Sequence, residues 1–253
     1  MTHLHGAKVA PESDGDPDTA FPPGSQSTLY HYPNNQDAAT MWYHDHALGL
    51  TRLNVYMGLA GFYLLRDSVE DSFNLPSGEN EIPLVFQDRS FNADGSLKFN
   101  PTFQDHFFGD FIVVNGKVNP YLDVKRGKYR FRLLNGSNTR TFTLVFGSPI
   151  AASPVMYQIG TDLGFRAAPV QTNSITLMPG ERADVVVDFA GMAAGASWTV
   201  FNTAVAPFPG GVNDVRTVMQ FRVGAATGHT TALPASLVTI PAPAAPVQTR
   251  QMQ

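Results

Sequence analysis

Glycine and proline cut this chain into short apolar runs at intervals of roughly ten residues, and that spacing constrains its fold more than any other feature. With 22 glycines and 19 prolines among 253 residues, it carries no long amphipathic helix pattern. Inside the runs apolar and polar residues alternate, the period of a strand with one buried face. In "KYRFRLL" Tyr129, Phe131 and Leu133 share one side, and Lys128, Arg130 and Arg132 the other. "TFTLVF" (Phe142, Leu144, Phe146), "ADVVVDF" (Val185, Val187, Phe189) and "VMQFRV" (Met219, Phe221, Val223) repeat the pattern. All are expected to be half-buried strands. "EIPLVFQDRSF" and "DFIVVNGK" add two more, the second turning at Asn115-Gly116, and "LMPGERADV" turns at Pro179-Gly180. Strands in this number between Glu81 and Val223 would close a sandwich or barrel, so the expected class is all-β and antiparallel.

Ahead of that block, "TLYHYP", "TMWYHDH" and "AGFYLLRD" are strand-like, and "ALGLTRLNVYMG" could make about two helical turns. "DSVEDSFNLPSGENE" is polar and interrupted, as a connector would be. After Val223 the composition shifts to Ala, Pro and Thr and ends "TIPAPAAPVQTRQMQ", expected to be an extended tail that buries little. The expected division is a first unit at 1–67, a connector at 68–80, a second unit at 81–224 and a linker or tail at 225–253.

Several function classes find no support. Net charge is only -4 and no run of like charges appears, so nothing marks a nucleic-acid or membrane-surface partner. No apolar stretch approaches the length of about 18 residues that a membrane span needs, and no basic-then-apolar signal segment opens the chain. Zero cysteines exclude disulfides and zinc-thiolate sites and leave the compartment open. They also exclude a blue-copper site built from this chain's own residues, because that site needs a thiolate beside two imidazoles.

Four of the seven histidines fall in two His-x-His pairs near the start, in "HLHG" (His3, His5) and "MWYHDH" (His44, His46). On a strand, residues i and i+2 emerge on one face about 6.5 to 7 Å apart. That is wide for one ion with metal–nitrogen bonds of about 2 Å, and comfortable for two neighbouring ions that each take one imidazole. Two such pairs facing each other suggest a metal cluster. Asp45, between the second pair, alternates away from it and is expected to support it rather than to bind.

These pairs sit in stretches that resemble the multicopper oxidases, most closely the bacterial spore-coat laccase and bilirubin oxidase branch. The resemblance is carried by "HLHG", "SDGDPD", "YHYPNNQDAATMWYHDHALGLTRLNVYMGLAGFYLLRD", "VNGKVNPYLDVKRGKYRFRLLNGSNTRTF", "PGERADVVVDF" and "MQFRV", and covers nearly everything from His3 to Val223. It implies cupredoxin-like Greek-key domains, the first incomplete, in an enzyme that oxidises phenolic or similar one-electron donors at a blue copper and reduces O2 to water at a trinuclear copper cluster. By the same resemblance His3 would hold the type 2 copper, His5 and His44 one type 3 copper, and His46 the other. Asp14 matches a carboxylate that helps deliver protons to that cluster; its plainer role is a turn before Gly15. The family's remaining cluster histidines, and all the blue-copper ligands, match nothing in this chain.

The expectation is therefore the back of a first domain and a whole second one, in need of a complementing chain or domain. The resemblance places the parent outside the cytoplasm, in the extracellular space, the periplasm or a spore coat. The rival reading is a non-catalytic copper-binding or scaffold protein descended from a truncated oxidase. Trp42 and Tyr43 are expected to pack around the cluster, His31 to be a half-buried strand residue with a hydrogen-bond partner, and His106 and His229 to lie on the surface. Asn135-Gly136-Ser137 is a formal glycosylation triplet without further support.

Overall fold

The computed structural model describes residues 1–25, 29–100, 102, 105–147 and 153–251. Its elements are β1 (Thr2–His5), β2 (Ala39–Asp45), α1 (Thr51–Tyr56), β3 (Ala60–Leu65), α2 (Ser68–Ser72), β4 (Glu81–Arg89), β5 (Phe111–Val114), β6 (Lys117–Val118), β7 (Tyr121–Arg126), β8 (Lys128–Asn135), β9 (Phe142–Val145), β10 (Val155–Thr161), β11 (Gly164–Thr172), β12 (Ser174–Leu177), β13 (Arg182–Asp188), β14 (Ser197–Asn202) and β15 (Thr217–Thr227). Both helices are short, as the density of breakers dictates. No helix among the described residues is long and apolar enough to cross a membrane.

β1, β2 and β3 form a three-stranded antiparallel sheet. β4 to β15 form two more sheets, of seven strands in the order β11-β10-β13-β8-β4-β5-β6 and five in the order β12-β9-β14-β15-β7. The inward faces of these two meet over Phe86, Phe131, Phe142, Leu144, Val185, Phe189 and Phe221, all fully buried. The alternation read in the sequence therefore points the expected residues inward. Pairing is antiparallel except between β4 and β8 and between β15 and β7, the two places where the chain crosses over instead of turning back. Asn115 and Gly116 take φ of 47° and 79° and close the β5–β6 hairpin, the left-handed pair of values that an Asn-Gly turn accommodates.

Four expectations change. β8 is buried on both faces, because the first unit covers the side that carries Arg130 and Arg132. Those guanidiniums meet Glu70, Glu81 and Asp184 in a buried ion cluster, with Arg130 Nη1 2.5 Å and Arg132 Nη2 2.6 Å from Glu70 Oε1 and Arg130 Nη2 2.6 Å from Asp184 Oδ2. The polar connector contains α2, which delivers Glu70 into that cluster. Residues 29–33 of "TLYHYP" run without strand pairing, Thr28 lying outside the described residues, and His31 is exposed rather than half-buried. In the tail, Leu237 is buried against Leu75, Ile159 and Val186, and its N–H donates to the Ala167 carbonyl at 2.8 Å. Proline-rich composition gave no sign of this anchor, which Leu233 joins from the same tail.

Candidate metal centre

The register of β1 against β2 assembles the histidines. His3 lies opposite His44 and His5 opposite Trp42, so strand alternation puts His3, His5, Trp42 and His44 on one face. Leu4 and Met41, on the other face, are buried with Ala39 and Leu65. The small core under the sheet thus fixes which way the imidazoles point. His46, just past the end of β2, stacks on His3 with ring centroids 4.8 Å apart. His3 and His5 are 5.5 Å apart by the same measure, and His44 and His46 5.7 Å.

Backbone carbonyls set the tautomers. Nδ1 of His3 lies 2.8 Å from the Asp14 carbonyl, Nδ1 of His44 2.8 Å from that of Asp45, and Nδ1 of His46 2.8 Å from that of Gly15. A carbonyl only accepts, so Nδ1 carries the proton in each ring and Nε2 keeps its lone pair for a metal. His5 is the exception: its Nδ1 faces His44 Nε2 at 3.4 Å. Two metal bonds of about 2 Å at a tetrahedral angle hold their nitrogens about 3.3 Å apart, so this pair is spaced to share one ion. Donor nitrogens of His3, His5 and His44 all lie within 4.8 Å of one another. Burial, and next the Arg182 guanidinium, lower the His5 pKa to about 4. Burial likewise holds His44 below the ordinary imidazole value. Both rings are therefore neutral at pH 7, as ligation requires. An all-imidazole donor set with these tautomers fits copper.

The Asp14–Gly15 loop is the clamp on this face. Gly15 has φ of 79°, and a Cβ there would fall 2.3 Å from the Thr2 carbonyl oxygen, so only glycine lets the loop lie against β1. The loop then offers consecutive carbonyls to His3 and His46. The Asp14 carboxylate, 49 % exposed, also comes within 3.2 Å of His3 Nδ1. The turn role and the position beside the histidines thus coexist in one residue. Trp42 does pack on the site, its ring centroid 5.2 Å from His5 and 4.4 Å from His44. Tyr43 does not; alternation sends it to the opposite face, against Gly61. Asp45 accepts from the Asn54 side chain at 2.9 Å and the Ala47 N–H at 3.2 Å, a structural partner as its position implied. His106 is exposed and His229 part-buried, both away from the cluster. Asn135 is fully buried and donates to the Arg140 and Leu177 carbonyls, which closes it to glycosylation.

A cleft of about 480 Å³ opens beside His5 and His44, walled by Trp42 and Val55 from the first unit and by Phe107, Asn138 and Gly180 from the second. The histidines thus face a space between units.

A family model described as "Multicopper oxidase" matches residues 1–70, the stretch that holds every one of these histidines. The chain is 44% identical over 211 residues to a laccase of Bacillus stratosphericus, covering 75% of this chain and 41% of that protein. To a laccase of Bacillus subtilis (strain 168) it is 41% identical over 242 residues, covering 88% and 46%. The chain belongs to the multicopper oxidase family. Its fold is that of the family, all-β and cupredoxin-like: the crystal structure of the McoA multicopper oxidase from Aquifex aeolicus superposes with a TM-score of 0.83 at 33% identity, over 96% of this chain and 54% of that one. The chain spans less than half the length of the two laccases it matches.

Sequence reasoning missed the residues of the second unit that touch the site, Gly180 and Arg182. Both stand in "PGERADV", where the sequence marks a turn and gives no sign of what the turn abuts.

Proposed function

We propose that this chain supplies His3, His5, His44 and His46 to the trinuclear copper cluster of a laccase-like oxidase that takes electrons from phenolic or similar donors and reduces O2 to water. The observation that carries this reading is the 3.4 Å approach of His5 Nδ1 to His44 Nε2 within a group of three imidazoles on which His46 stacks. On this reading His5 and His44 would hold one type 3 ion, His46 the other, and His3 the type 2 ion. Copper bound there would pass electrons to O2, each O2 taking four electrons and four protons to give two waters. The chain's own residues hold the ligands still, and they bring protons. The Asp14 carboxylate is half exposed and lies beside the Nδ1–H edge of His3, so it would exchange protons with water next to the site.

Titration of the full chain with copper, against a variant in which all four histidines are Ala, tests the ligand set. The expected result is bound copper in the first and its loss in the second; equal stoichiometry and affinity would overturn the reading. The chain by itself is expected to show no blue colour and no turnover of a phenolic donor, since it has no cysteine for the blue site. In the assembled oxidase, Asp14→Asn is expected to slow turnover and change its pH profile at full copper content. The scaffold alternative has less behind it, because the matched relatives are laccases.

A further inference from the structure

Two turns of the second unit close on the β1–β2 pair without contributing a histidine: the one joining β10 to β11 and the Pro179-Gly180 turn that leads into β13. One side chain ties both to the metal-bearing sheet. Arg182 is 4 % exposed and its guanidinium reaches three separate segments. Nε donates to the Thr40 carbonyl of β2 at 2.9 Å, Nη1 to the Gly180 carbonyl at 3.1 Å, and Nη2 to the Asp162 carbonyl at 2.9 Å. Asp162 Oδ1 faces Nη1 at 3.3 Å and also accepts the Arg182 backbone N–H at 2.7 Å.

The same guanidinium lies against the turn that follows His5. A Cβ on Gly6 would fall 2.9 Å from Arg182 Nη2 and 2.8 Å from Leu163 Cδ2, so the glycine after the first histidine pair makes room for this contact. Gly180, held through its carbonyl, packs on the site itself. A Cβ there would lie 3.5 Å from Trp42 Cζ2 and 3.8 Å from His5 Cε1. Arg182 thus stands beside Gly6 on one side and behind Gly180 on the other, the two glycines next to His5.

We propose that Arg182 is a positioning residue for the metal centre: its bonds to Thr40, Gly180 and Asp162 set where His5 stands relative to His44, so a unit that supplies no ligand fixes the spacing of two of them. This rests on the reading of the histidines as copper ligands. Three bonds in fixed directions from one plane need a guanidinium, and a lysine ammonium at the same place keeps the charge without the geometry.

The test uses the full chain, with Cu(II) affinity measured by competition against a chelator and folding followed by far-UV circular dichroism and thermal unfolding. Arg182→Met is expected to weaken Cu(II) binding by about 10- to 100-fold, the range for lost support of a ligating histidine, and Arg182→Lys nearly as much. The nitrogen superhyperfine pattern in the Cu(II) electron paramagnetic resonance spectrum should lose one imidazole in Arg182→Met, as in His5→Ala. The double variant should bind no more weakly than His5→Ala alone, because Arg182 acts through His5. Arg140→Lys is the control: this buried arginine of the same unit pairs with Asp88 and Asp214, and its replacement should lower the unfolding temperature while leaving affinity alone. Additive losses in the double variant, an equal loss in Arg140→Lys, or unchanged affinity in folded Arg182→Met would each overturn the proposal. Should Arg182→Met not fold, Gly6→Ala presses a methyl group on the same guanidinium and must reproduce the loss; wild-type affinity in folded Gly6→Ala would overturn it equally. If His5→Ala itself leaves affinity unchanged, the copper-site reading fails instead.

Discussion

The two units share strand architecture and differ in what holds them. The second packs two sheets over a continuous core with fully buried aromatics at its centre, Phe86, Phe131, Phe142, Phe189 and Phe221 among them. The first has one three-stranded sheet over a buried cluster of Leu4, Ala39, Met41 and Leu65, and gives its other face to imidazoles. A sheet with so little apolar cover is poorly stabilised by its own burial. The junction adds to this, where Arg130, Arg132 and Arg182 of the second unit reach Glu70 of the connector and Thr40 of the first unit. The imidazoles stand on the thin unit, and the thick unit packs against it.

The sharpest way to break this contrast is to remove Glu70. Its carboxylate sits between Arg130 and Arg132, all three nearly inaccessible, so Glu70→Ala leaves two buried guanidiniums short of a counter-charge. Loss of one partner from a buried ion cluster costs about 3 to 5 kcal/mol. Each unit has one tryptophan, Trp42 in the first and Trp198 in the second, so single-tryptophan versions report on each separately. Urea unfolding is expected to show the Trp42 signal falling well before the Trp198 signal in Glu70→Ala. If both moved together by the same amount, the units would be one cooperative body and the contrast would go.

Leu4→Ala comes next in size. Leu4 is 1 % exposed beneath the His3 and His5 strand, and its truncation should cost about 2 to 3 kcal/mol, the low end for a buried leucine because its cluster is small. Copper affinity should fall with it, since β1 loses the contact that orients its histidine face. Phe131→Ala, in the other core, is expected to cost at least as much stability, and to change copper affinity less in the fraction that remains folded. A larger affinity loss from Phe131→Ala would locate the support of the site in the wrong unit.

How much of this was readable beforehand follows from range. Facing of Tyr129, Phe131 and Leu133, the Asn115-Gly116 turn and the His-x-His geometry all depend on residues two to four apart, where strand periodicity decides. The candidate site was legible for the same reason: "HLHG" and "MWYHDH" carry their histidines at strand spacing. The junction was not. Arg130 and Arg132 alternate like solvent-facing residues, and only the packing of β2 and α2, some sixty to ninety residues away in sequence, makes that face an interior. Arg182 is similar, since its bond to Thr40 spans 142 positions and leaves no local signal. Asp14 shows the intermediate case. The loop was visible from Asp14-Gly15, whereas its service to His3 and His46 through main-chain carbonyls involves no side chain that a sequence could display.

The smallest expected effect is at Asp67, which ties the connector helix that reaches the second unit to the first unit. Its carboxylate accepts the Glu70 N–H at 2.8 Å, capping α2, and the Ala38 N–H at 2.9 Å, next to the start of β2. Burial pushes its pKa up, and the backbone N–H groups of Glu70, Ala38 and Val69 outweigh that, leaving it below the ordinary 3.8. A carboxylate with a depressed folded-state pKa contributes stability that is fully present above the unfolded value and is lost as pH falls through the folded one. Asp67→Asn keeps one acceptor oxygen of two, and asparagine caps helices well, so at neutral pH the cost should stay below about 1 kcal/mol. Below pH 3.8 the wild type sheds its advantage and the variant has none to shed. Urea midpoints of the Trp42 signal for the two proteins should therefore converge as pH drops from neutral towards about 3. A gap that stayed constant over that range would show that Asp67 holds α2 and β2 together by shape alone, with its charge contributing nothing to the junction.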